Sequence, residues 1–168
     1  MDRFADCLSK GRLKKVEVDP QWIARELRSA LLELERAHRG RDKAHWEEAA
    51  TQGYFSLYRA AHAALLSKGY LDLNIYGLCV GIEHLFVEAG QLPSEIVIHL
   101  RDGKDIKDTV YSRQKSTSPE VEQVLEWAVS GVARIVALLA ATGIDVPQIA
   151  PPPRGGESGL AGRQEQAE

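Results

Sequence analysis

The chain has 168 residues, 44% of them hydrophobic and 27% charged, with a formal net charge of −3. That length holds one hydrophobic core and is short for two domains, and the charge excludes a strongly basic nucleic-acid coat while leaving room for a local basic patch. Two distant cysteines, Cys7 and Cys79, fit a reducing cytoplasm better than a disulfide framework. The segment MDRFADCLSKGRLKK lacks the apolar core of a secretory signal, and the longest apolar run, Ile135 to Ala141, falls well short of a membrane span. The expectation is a cytoplasmic protein without membrane association.

Residues 1–18 are weakly patterned and read as a loose arm, with a short helix around Arg3 to Leu8. Asp19-Pro20 is a helix start: the carboxylate accepts from orphan amides, and proline in the first turn loses nothing by lacking its N–H. A first long helix follows to about His38, with Trp22, Ile23, Leu27, Ala30, Leu31 and Leu34 at helical spacing and Gly40 as its stop. A second runs from near Asp42 to the Lys68-Gly69 cap, its apolar face carrying Trp46, Ala49, Ala50, Tyr54, Leu57, Tyr58, Ala61, Ala64 and Leu65. Gly53 inside it costs about 1 kcal/mol relative to alanine, which points to a close helix approach.

A third helix covers Asn74 to Ala89, with Leu78, Ile82, Leu85 and Phe86 as its stripe. Ser94 opens a fourth, which Asp102-Gly103 is expected to break before Ile106, Val110 and Tyr111 resume the face. Lys115 to Ser118 reads as a polar loop. Pro119 starts a fifth helix ending near Ala141, with Val121, Val124, Leu125, Ala128, Val132, Ile135, Val136 and Leu139 inward and Gly143 beyond. Residues 146–168, rich in Pro, Gly and Gln, read as a disordered tail. Residues 19–145 thus form an all-α, antiparallel up-and-down bundle of about five helices.

Three phrases carry a family resemblance. Tyr54 to Tyr70, YFSLYRAAHAALLSKGY, is a Tyr/Ala tract leading into Ala-Leu-Leu and a Lys-Gly stop. Phe86-Val87-Glu88-Ala89-Gly90-Gln91-Leu92-Pro93 closes the next helix, and Lys104 to Tyr111 (KDIKDTVY) is a later polar phrase. Over roughly residues 20–140 the chain resembles the HEPN-domain family of small bacterial and archaeal helical proteins. The resemblance implies a HEPN-like bundle, a homodimer, and a nucleotidyltransferase partner in a toxin–antitoxin type of system, with nucleotide or RNA as ligand. It also implies that Lys104, Asp105, Lys107, Asp108 and Tyr111 line a ligand or partner groove. Some members of that family are metal-independent ribonucleases with an Arg and a following His separated by four to six residues. Here no His follows Arg101, and the one such spacing, Arg39 to His45, lies at the first interhelix turn.

Two further clusters carry candidate chemistry. Arg36, Arg39, Arg41 and Lys43 crowd one turn and have the charge to contact phosphates. Arg59 and His62 lie one turn apart beside Tyr58, where an Arg–His pair has the means to stabilise a phosphorane-like charge and move a proton. Glu35-x-x-His38 matches half of a di-iron signature but has no second copy, and phosphate-cradling glycine loops are missing, so no metal and no cofactor are expected. The main expectation is therefore a binding module. A ribonuclease with a variant Arg/His site and a helical oligomeric scaffold are the alternatives.

Overall fold

The computed structural model describes residues 2–113 and 118–148, and the observations below concern those residues. They form six helices and two short strands: α1 (Arg3–Ser9), β1 (Leu13–Lys15), α2 (Pro20–Asp42), α3 (Trp46–Ser67), β2 (Tyr70–Asp72), α4 (Ile75–Ile82), α5 (Glu95–Arg113) and α6 (Ser118–Ala141). A single π-helical turn, Glu83–Val87, continues α4. The chain is a helical bundle of the all-α class. Residues 149–168, nearly all of the expected tail, lie outside the described residues, as do 115–117 of the expected loop.

Helix starts follow the capping chemistry read from the sequence. Asp19 accepts from the Gln21 amide at 2.9 Å, and Pro20 opens α2. Asn74 accepts from the Gly77 amide at 2.8 Å to begin α4. Lys68 caps α3, and Gly69 turns the chain with φ of +78°, a left-handed conformation that a side chain resists.

The other glycine assignments need correction. Gly40 does not stop α2, which continues to Asp42. Gly40 is buried, and a Cβ there would lie 3.3 Å from the Ala49 nitrogen, so its role is close approach to the start of α3. The reversal falls at Ala44 (φ 56°), where the His45 amide donates to the Gly40 carbonyl at 2.8 Å. Gly103 does not break α5, which runs unbroken from Glu95 to Arg113, with Gly103 facing the Tyr54 ring.

The N-terminal segment is not a loose arm. Phe4 and Cys7 of α1 are buried, and Phe4 stacks on His84 (centroids 4.4 Å apart) and meets Tyr70 edge-on at 5.1 Å. β1 pairs antiparallel with β2, Leu13 opposite Asp72 and Lys15 opposite Tyr70. A three-residue strand shows no period in sequence, and it holds here because α1 and α4 cover the ribbon.

Helix α3 is the centre of the bundle. It packs antiparallel to α2, with Ser56 donating to the Ala30 carbonyl at 2.6 Å inside the interface. It packs parallel to α6, with Gly53 against Val124 and Leu125, and Leu57 against Gly131. Small residues make both approaches close: Ala49, Ala50, Gly53, Ala60, Ala61, Ala63 and Ala64 are all buried. α5 lies antiparallel on the remaining side, its Gly103 at Tyr54 and its Ile96 near Gly131.

By length and composition α6 is apolar enough to cross a membrane, contrary to the expectation that no segment approaches one. Its stripe from Val121 to Leu139 packs into the bundle core, which accounts for the apolar content.

Gly131→Ala is expected to destabilise the fold by about 1–3 kcal/mol, because the added methyl overlaps Leu57 in a packed interface. Gly103→Ala, whose methyl would rest at 3.4 Å from Tyr54, is expected to stabilise α5 by up to about 1 kcal/mol. Urea denaturation of the two variants checks both; equal shifts in the same direction would contradict the packing described.

Candidate functional site

One face of α3 gathers most of the chemistry. Successive turns present Tyr54, Phe55, Tyr58, Arg59 and His62 between α2, which supplies Trp22, Glu26 and Glu33, and α5, which supplies Lys107. Asp72, the last residue of β2, closes the end of this strip.

Asp72 is the anchor. Its side chain is fully buried, and its carboxylate accepts from the Tyr58 hydroxyl at 2.5 Å and bonds His62 Nδ1. A buried carboxylate without partners would be costly, and two partners from consecutive turns of α3 remove that cost. The register of β1 against β2 sets the Asp72 backbone, so the ribbon aims the carboxylate at α3.

The protonation states follow from this contact. Burial pulls His62 down, but the hydrogen bond and charge of Asp72, with Glu26 behind it, outweigh burial and Arg59, and its pKa ends above the ordinary histidine value. Burial, then the bond to Asp72, pushes the Tyr58 hydroxyl far above the usual phenol range. His62 is only 13% exposed and meets Trp22 edge-on at 6.1 Å.

Arg59 points the other way. Its guanidinium lies 3.3 Å from Glu26 and 3.8 Å from Glu33, joining α3 to α2. Arg59 and His62, paired in the sequence reading, thus have separate partners on separate elements. Trp22, Glu26, Glu33 and Asp72 were not foreseen as part of the site. For Asp72 the signal was present, a lone acid between Leu71 and Leu73 directly after the α3 cap.

The later polar phrase comes alongside. The Lys107 ammonium sits 5.5 Å from the ring centres of both Tyr54 and Phe55. Lys107 also pairs with Asp108 at 2.9 Å, and Lys104 with Asp108 at 2.5 Å. The hydrogen bond from Lys104 lowers the Asp108 pKa, and the same bond raises that of Lys104. The Lys104 pair spans one turn of α5, at i,i+4. Asp105 is exposed on the same helix, and Tyr111 falls on its last turn, where its side chain is outside the described set.

The basic turn is mostly neutralised. Arg36 pairs with Glu33 (3.8 Å), Arg39 with Glu35 (3.4 Å), and Arg41 with Asp42 (3.0 Å) and Glu122 (3.7 Å), leaving Lys43 exposed at the helix end. His45 pairs with Glu48 at 3.5 Å. Burial and the adjacent Arg41 lower the pKa of His38. Among the described residues no cluster of three or more His, Cys, Asp or Glu side chains is disposed to hold a metal ion.

Cys79, between Leu78 and Val80, is buried. Burial raises its thiol pKa more than the nearby Arg101 lowers it.

Comparison with known proteins finds no matching family model, curated protein or solved structure.

The Asp72–His62 bond has a readable pH signature. The folded pKa of His62 lies above its ordinary value of 6.5, so the contact contributes fully below that value and is lost as pH rises through the folded pKa. The urea midpoint is expected to fall over that alkaline span. Asp72→Asn should flatten the dependence and cost about 1–3 kcal/mol at the acid end. An unchanged pH profile in the variant would refute the assignment.

Proposed function

We propose that the chain is a helical binding module of HEPN-like type, dimeric, that takes part in nucleotide or RNA handling with a nucleotidyltransferase or a similar protein, as in toxin–antitoxin systems. The family part of this reading rests on the three sequence phrases. The observation that supports binding over catalysis is the division of labour on α3. Arg59 and His62, which RNA cleavage would need free, are engaged with Glu26 and Asp72. Phe55, in contrast, is 37% exposed, with the Lys107 ammonium beside its ring while Lys107 also pairs with Asp108. Aromatic faces stack bases and ammonium groups contact phosphates, without sequence preference.

One observation favours a second reading. A carboxylate bonded to His Nδ1 orients the ring as in general-base pairs, and Arg59 stands one turn away. A variant ribonuclease site would use that geometry.

Fluorescence anisotropy with a single-stranded RNA oligomer separates the two. Phe55→Ala is expected to weaken binding by about tenfold, in line with stacking worth about 1–3 kcal/mol per base. Lys107→Ala should weaken it and reduce its salt dependence. No RNA cleavage is expected in metal-free buffer. Cleavage by the wild type that disappears in both Arg59→Ala and His62→Ala would replace the binding reading with the enzymatic one, and light scattering that finds only monomer would remove the dimer.

A further inference from the structure

A cleft of about 180 Å3 opens between the start of α5 and the middle of α6, away from the α3 strip. Pro93, Ile96 and Gly131 give it an apolar floor and rim, and Glu95, His99, Ser130 and Arg134 give it polar groups. Its volume is below that of pockets for drug-sized ligands, which begin at about 300 Å3. The occupant therefore has few heavy atoms.

The wall is preset. His99 stacks flat on Trp127, with ring centres 4.8 Å apart and planes 9° from parallel. Burial lowers the His99 pKa despite Glu95, Asp102 and Glu126 nearby, so the ring stays neutral there near pH 7. Gly131 is close-packed against Leu57 and Ile96, which holds this turn of α6 in place.

The two formal charges lining the cleft are the informative feature. Arg134 and Glu95 share it without forming an ion pair, and neither has an ion-pair partner elsewhere among the described residues. Glu95 only accepts from the adjacent Ser94 hydroxyl at 3.4 Å. Many of the other cations on the helices are paired, Arg36, Arg39, Arg41, Arg59, Lys104 and Lys107 among them. A guanidinium and a carboxylate, both exposed and beyond ion-pair distance of each other, line one small cleft and match a ligand that carries both opposite charges.

We infer that this cleft binds a small zwitterion, a free α-amino acid, with its carboxylate on Arg134 and Ser130 and its ammonium on Glu95. The guanidinium fork suits a carboxylate, and the carboxylate of Glu95 accepts from an ammonium. Asp102 and Glu126 beside His99 make the surroundings acidic, so neutral or basic side chains are favoured and acidic ones disfavoured.

The test is amide-resolved NMR titration of the full chain with the standard L-amino acids, one at a time at millimolar concentration. At least one neutral or basic amino acid is expected to shift the Gly131 amide and the Trp127 indole. Its N-acetyl and decarboxylated analogues, each lacking one charge, should bind about tenfold more weakly or worse. Arg134→Ala and Glu95→Gln should do the same while keeping the wild-type urea midpoint. The inference is overturned if no amino acid shifts these signals, if a singly charged analogue binds as well as its parent, if aspartate and glutamate bind best, or if both variants retain affinity. RNA binding at the α3 strip is unaffected by any of these outcomes, so the two sites stand or fall separately.

Discussion

The bundle depends on the lack of bulk on α3. Glycine at Gly53 and alanines on several sides let α2 and α6 approach α3 closely, and Gly131 of α6 answers with its own missing side chain against Leu57. Close approach raises the packing contacts per residue, which is where a chain of this size finds its stability. A helix so enclosed has one face left over. That face carries Phe55, Tyr58, Arg59 and His62 between α2 and α5, and the site exists because the other faces are occupied.

Asp72 ties this core helix to the N-terminal third of the fold. β2 carries the carboxylate, β1 sets the register of β2, and α1 clamps the neighbouring π turn through Phe4 on His84 and Arg3 on Glu83. A π turn widens the helix locally and re-aims the side chains around it. Here it brings His84 under the Phe4 ring and pairs His84 with Glu88 at 3.0 Å. The short elements at this end thus act together, and the Tyr58–Asp72–His62 contact is where they meet the bundle.

Much of the helical architecture was legible in the residues. Asp19-Pro20 and Lys68-Gly69 act through local backbone chemistry, so they read the same in sequence and in the fold. Gly40 and Gly103 did not. A glycine inside a helical pattern is locally the same whether it ends the helix or admits a neighbour, and only the position of Ala49 or Tyr54 distinguishes the two. In the N-terminal segment the short helix was legible and its burial was not: Phe4 and Cys7 have no local period, and their burial depends on surfaces contributed by α4 and β2.

By itself the sequence determined the helical class, most helix starts and ends, and the inward faces of α3 and α6, because capping and period act over a few residues. It also placed Arg59 and His62 on one helix. Only the tertiary structure decided that each would bond a different partner. Which acid meets which base depends on the side-by-side position of α2, α3 and β2: Glu26 lies 33 residues from Arg59, and Asp72, 10 from His62, reaches it only because the chain turns back after α3. The same holds for Arg134 and Glu95, which line one cleft because α5 packs on α6.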